Sequence, residues 1–170
     1  MLFGFYLPNS GPMAQPDALA EIALRGDHLG FYCMVTGDHV IEPRSISSLY
    51  PYTVAGDWSG GAKNEGGGLE VITTLSFLAG VTQRIRLVTS VMIVPYRNPI
   101  LTAKMLATMD VVSKGRLVVG VGVGWMEEEF VALDTPPFAA RGAVTDEYLR
   151  AFKELWTSDD PTFEGEYCRF

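Results

Sequence analysis

Four things are scarce in this sequence, and each scarcity removes a class of function. Basic residues number 13 against 20 acidic ones, giving a net charge of −7, and no run of lysine or arginine occurs. A nucleic-acid partner is therefore not expected. Cysteine occurs twice, at Cys33 and Cys168, far apart and without Cys-x-x-Cys spacing. That argues against a disulfide framework and for a reducing, cytoplasmic compartment, with Cys33 a small core residue. Long apolar runs are also missing: none approaches the roughly 18–20 residues of a membrane helix. Met1–Pro8 has no basic residue ahead of its apolar ones and does not read as a signal peptide. Histidine is limited to His28 and His39, too distant from each other and from cysteine for a zinc site, so no metal is expected.

What is present is an ordinary globular composition, 48% hydrophobic over 170 residues. A single domain of this length buries roughly 70% of its unfolded surface. The chain alternates. An apolar segment, Leu2–Leu7, ends at Pro8-Asn9, and a helix opens at Pro16, with Leu19, Ile22, Ala23 and Leu29 at helical spacing before Gly30. Phe31–Val35 is a second strand, Leu69–Ala79 a helix, Ile85–Val94 a third strand. Asn98-Pro99 starts a helix that runs to about Ser113, Arg116–Gly122 is the fourth strand, and helices follow over Trp125–Leu133 and Thr145–Trp156. Residues 41–68 break this rhythm with prolines, glycine pairs, Tyr50, Tyr52 and Trp58. A segment so long without periodicity, yet aromatic, is expected to be a lid or insertion.

Strand–helix alternation with apolar strands means an α/β fold with a parallel sheet, its strands covered on both faces. An open doubly wound sheet and a (β/α)₈ barrel both fit, and four units are half of a barrel. In either case chemistry collects at the C-terminal ends of the strands. Those ends carry Asp38-His39, Ser90–Val94 and Gly122–Trp125. Asp38-His39 reads equally as a titratable pair or as a loop cap beside a surface histidine. His28, near a helix end, is structural. Ser90 has no base close by and is not a nucleophile. Glu127, Glu128 and Glu129 fan around a helix start, where they complement its dipole rather than converge on a metal. Gly120, Gly122 and Gly124 leave one face of a strand end without side chains, so a helix or a ligand comes close there. Their spacing is not the dinucleotide fingerprint, and no phosphate-loop lysine follows.

The order of motifs resembles the luciferase-like monooxygenase superfamily, and within it the coenzyme F420-dependent oxidoreductases. The matching residues are Gly30-Phe31, Asp38-His39-Val40, Arg84-Ile85-Arg86-Leu87, Pro95-Tyr96-Arg97-Asn98-Pro99 and Ala107-Thr108-Met109-Asp110. They continue through Ser113-Lys114-Gly115-Arg116-Leu117, the Gly120–Trp125 glycine run, Glu129-Phe130, Arg141-Gly142 to Trp156, and Phe163-Glu164-Gly165. The resemblance spans the chain as one partial domain, residues 1–170, and implies about the first four units of a (β/α)₈ barrel.

The resemblance also implies an oxidoreductase passing hydride between coenzyme F420 and a small organic substrate. The alternatives are an FMN-dependent monooxygenase served by a flavin reductase, and a non-catalytic flavin-binding remnant of a barrel. His39 matches an active-site histidine of the family, and Asp38 a cofactor-contacting position. Ser90-Val91 falls where members carry a non-prolyl cis peptide behind the cofactor ring. Gly122 and Gly124 would lie beside that ring, with Trp125 and Trp58 walling the substrate pocket. The family's sugar-phosphate and alcohol dehydrogenases carry a glutamate where this chain has Trp125, which removes their acid–base pair. The aromatic lid suggests an apolar or ring-bearing substrate. Four units leave strand edges unpaired, so a fragment, or a homodimer closing one barrel, is the expectation.

Overall fold

The computed structural model describes residues 1–58 and 68–170. Four strands form one wholly parallel sheet in the order β1-β2-β3-β4: Gly4–Tyr6, Cys33–Thr36, Arg86–Ile93 and Leu117–Gly122. Helix α1 (Pro16–His28) joins β1 to β2, α2 (Val71–Val81) leads into β3, and α3 (Pro99–Ser113) joins β3 to β4. A short α4 (Glu127–Ala132) follows β4, and α5 (Arg141–Thr157) packs on α3. Sequential strands pairing in parallel, each after a helical crossover, is what the alternating pattern requires.

Local signals explain the boundaries. Pro16 opens α1 where its missing N–H goes unnoticed, and Gly30, at φ +80°, follows its end. Asn98 caps α3 by accepting from Leu101 N at 3.1 Å. Helix α2 is capped by Glu70, whose carboxylate accepts from Ile72 N and Thr73 N at 3.1 and 2.7 Å. That cap is not visible in the sequence, because glutamate is not among the usual capping residues.

The core lies between the sheet and its helices. Met34 and Leu87, with Phe5, Leu117 and Val119, point to the helix side and pack with Leu19, Leu75, Leu78, Leu106 and Phe152. The opposite faces of the same strands are open: Tyr6 is 59% exposed and Val118 is 40% exposed. The expectation of strands buried on both faces is thus corrected. Four strands curve but do not close, so only the outer face is covered.

Two buried polar clusters fasten the N-terminal ends of the strands. Asp27 accepts from the backbone N–H groups of Gln83, Arg84 and Ile85 at 2.7, 3.0 and 2.8 Å. Arg116 donates to the carbonyls of Ala79, Ile85 and Ser113 and to Thr82 Oγ1. Each ties the loop before β3 to a neighbouring element. Among the described residues, no helix is long and apolar enough to cross a membrane.

Candidate functional site

A cavity of about 970 Å³ opens at the C-terminal strand ends. One wall is the end of the sheet: Ser90, Val91 and Ile93 beside Gly122, Val123 and Gly124. The other is aromatic, built from the 41–58 segment and Trp125. The peptide bond between Ser90 and Val91 is cis, and β3 shifts register against β4 between Thr89 and Met92 at this point.

The glycines answer to the sheet. A methyl group on Gly120 would strike the Thr89 carbonyl, and one on Gly122 would sit 2.6 Å from Val91 Cγ2. Gly124 has φ +83°, and a methyl there would lie 2.7 Å from the Phe130 ring. Their missing side chains are explained by β3 and α4, with no ligand required. Gly122 and Gly124 still border the cavity, but the close approach read from the sequence is internal packing.

Asp38 and His39 follow β2 directly, yet the fold treats them oppositely. The Asp38 carboxylate is wholly buried, receives both Arg97 guanidinium nitrogens at 2.7 Å, and accepts from Ile93 N at 2.9 Å. Arg97 also reaches Glu70 at 2.8 Å, joining the end of β2 to the start of α2. Asp38, expected as a cofactor-contacting position, lines the cavity with its carboxylate ion-paired to Arg97.

His39 faces the cavity, its side chain 26% exposed. Its Nδ1 lies 2.7 Å from Glu129 Oε2, and the Tyr96 hydroxyl donates to the same oxygen at 2.8 Å. Glu129 Oε1 accepts from Val40 N and Ile41 N at 3.0 and 3.2 Å. Glu129 is 0% exposed. A carboxylate accepts only, so Nδ1 carries the proton in this contact and a neutral ring leaves Nε2 as a bare acceptor. No hydrogen-bond partner meets Nε2 among the described residues. Burial, the Glu129 charge and its hydrogen bond push the Tyr96 hydroxyl well above the usual phenol range, so it remains a donor.

The three glutamates stand in the first turn of α4, as the dipole reading expects, and two of them have further partners. Glu129 orients His39. Glu128 accepts from Ser47 N, Ser48 N and Ser48 Oγ, and the Glu127 N–H donates back to Ser48 Oγ at 3.0 Å. Helix α4 thereby grips the loop after β2 at Ser47 and Ser48. Burial works against the Glu128 charge, but those hydrogen bonds outweigh it and bring its pKa to about 2. Three consecutive carboxylates beyond a strand end were the available signal for this grip. Their fan around the helix concealed that two of them reach separate loop segments.

Trp58 and Trp125 both line the cavity, where they pack on each other and on His39. The Trp58 ring centroid lies 4.6 Å from that of His39 and 5.6 Å from that of Trp125. Tyr50 meets Trp125 at 5.0 Å and Tyr52 meets Tyr50 at 5.4 Å. The lid expectation also covered residues 59–67, which lie outside the described residues. Arg141, not singled out in the sequence, spans the rim: it lies 4.0 Å over the Phe138 ring and donates to the Gly124 and Phe138 carbonyls. His28, in the last turn of α1, is exposed and remote from the cavity.

Comparison with known proteins supplies the context of this cavity. The chain is 34% identical over 170 residues to an uncharacterised protein of Mycobacterium tuberculosis, covering all of this chain and 58% of that protein. It is 30% identical over 155 residues to the F420-dependent glucose-6-phosphate dehydrogenase of Amycolatopsis mediterranei, covering 89% of this chain and 41% of that one. The monooxygenase RslO1 of Streptomyces bottropensis superposes with a TM-score of 0.74 at 28% identity, over 100% of this chain and 47% of its own. The chain thus spans about half the length of the relatives it matches, and its sheet corresponds to the first four units of their (β/α)₈ barrel. Residues 1–170 match throughout the family described as luciferase-like monooxygenase, and the chain belongs to that family.

Proposed function

We propose that this chain carries the C-terminal-end site of an oxidoreductase that moves a hydride between coenzyme F420 and a small organic substrate, with His39 exchanging the substrate's proton. The observation that carries the reading is the Glu129–His39 contact at 2.7 Å. It fixes the imidazole from behind and leaves Nε2 towards the cavity, where a general base must sit. The 30% identity to an F420-dependent dehydrogenase supports the choice of cofactor.

The residues present fit a planar cofactor. Val91, Ile93, Gly122 and Val123 make an apolar wall with little side-chain relief, facing the aromatic wall across the cavity. Ser90, Val91, Gly122 and Gly124 would hold such a ring. Bound F420 supplies the hydride chemistry itself, which no side chain can. His39 Nε2 accepts the proton of the substrate hydroxyl as the carbonyl forms, or returns it in the reverse direction. Glu129 holds the ring in place. Trp58 and Trp125 cover the histidine and restrict water around it. Trp125 exchanges no proton, and Glu129 lies behind the ring, so the proton passes through His39.

The second reading is a monooxygenase using reduced FMN, oxygen and a separate flavin reductase. It is favoured by the 28% likeness to the monooxygenase RslO1. Calorimetric titration with F420 and with FMN separates the two. The proposal expects F420 to bind at least about 10-fold more tightly. Preference for FMN selects the monooxygenase reading, and binding of neither leaves a non-catalytic barrel unit. His39→Ala should abolish turnover and leave F420 affinity nearly unchanged. Unchanged turnover would remove His39 from the chemistry.

A further inference from the structure

Building on the reading of this cavity as the substrate site, we propose that it takes an uncharged, ring-bearing molecule and discriminates against phosphorylated ones. Two independent observations carry this.

The first is the aromatic wall. Trp58 and Trp125 meet each other and His39, and Tyr50 meets Trp125, edge-on or tilted, with centroids 4.6–6.3 Å apart. Such packing presents ring faces and edges, which offer large apolar contact and quadrupole complementarity to another ring. The two indoles flank the imidazole, so a molecule reaching Nε2 comes up against them.

The second is the charge of the lining. A phosphate ester is recognised by guanidinium forks, ammonium groups or clustered backbone N–H groups. Among the described lining residues the only such cation is Arg141. Its guanidinium is already turned onto two carbonyl oxygens at 3.2 and 3.0 Å and over the Phe138 ring. Glu127 lines the same cavity, and Asp38 is matched by Arg97 beneath it. Among the described lining residues a phosphate dianion would meet the Glu127 carboxylate and no cation turned towards it, an arrangement that opposes binding. The relative named as a glucose-6-phosphate dehydrogenase is thus a guide to cofactor and not to substrate.

The test compares one ring system with and without the charge. Wild-type chain is titrated by calorimetry with 2-naphthol and with 2-naphthyl phosphate. The naphthol is expected to bind, and the phosphate at least about 10-fold more weakly. Trp58→Ala and Trp125→Ala should each weaken naphthol binding by roughly 3- to 10-fold, with Trp125→Phe recovering part of the loss. Equal or tighter binding of the phosphate overturns the proposal, as does unchanged naphthol affinity in both tryptophan variants. The wild-type comparison needs no variant to fold, and circular dichroism monitors those that are made. Parallel F420 and FMN titrations separate the two levels. Naphthol binding without either cofactor upholds the cavity's preference and contradicts the oxidoreductase reading. Cofactor binding without naphthol contradicts the preference and leaves that reading standing. Binding of neither contradicts both.

Discussion

Asp27 and Glu129 are two buried carboxylates solving similar problems at opposite ends of one sheet. Asp27 gathers three consecutive backbone N–H groups at the entrance to β3, and Glu129 gathers two at the exit of β2. Both pin loops that would otherwise bury unsatisfied donors. The difference lies in their remaining partners. Asp27 adds the side chain of Arg84, 69% exposed and facing no cavity wall. Glu129 adds a tyrosine hydroxyl and an imidazole whose far side meets the cavity. A carboxylate at the N-terminal face of a barrel sheet serves stability, and one at the C-terminal face is free to serve chemistry as well.

The predictions try to break that division. The largest effect belongs to His39→Ala, which should lower turnover with bound cofactor by about 10²- to 10⁴-fold, the usual contribution of general acid–base catalysis. The melting temperature should barely move, since the ring is partly exposed. Asp27→Ala should do the opposite. It strands three N–H donors and should cost about 3 kcal/mol, measured by urea unfolding, with naphthol affinity in the cavity unchanged. If Asp27→Ala abolishes ligand binding while the chain remains folded, the two ends are not separable. Glu129→Gln lies between them. It keeps a hydrogen-bonding side chain but loses the charge, and should reduce turnover roughly 10- to 100-fold, as when a group orienting another is lost.

The smallest effect is acidic. The folded pKa of Glu128, about 2, lies below its ordinary 4.5. Its contribution to stability is therefore complete above about pH 4.5 and is lost as pH falls through about 2. Glu128→Gln should flatten the acid limb of the stability curve in that window. An unchanged limb would mean the lid is held by something other than Glu128.

How far the sequence reached differs between these two ends of the molecule. Strand and helix order followed from apolar periodicity and from Pro16, Gly30 and Asn98-Pro99, all local signals with local causes. His39 was found because histidine is rare and sat at a strand end. Glu129 was not, because nothing local separates it from Glu127 and Glu128; only the approach of the segment after β2 to α4 selects it. The ion pair of Asp38 was hidden for the same reason. Its partner Arg97 lies 59 residues away, and until that pairing is known a carboxylate beside a histidine reads as part of a site. The glycine run was legible only in part. Absent side chains announce a close approach without saying from which side, and here β3 and α4 take the space.

The claim on which the rest depends is that Glu129 fixes the His39 tautomer. Nitrogen NMR of the imidazoles, with exposed His28 as the internal reference, reads this directly. The account predicts that neutral His39 is protonated at Nδ1 with Nε2 bare, and that Glu129→Gln alters this while His28 is unaffected. A neutral His39 protonated at Nε2 in the wild-type chain would contradict it.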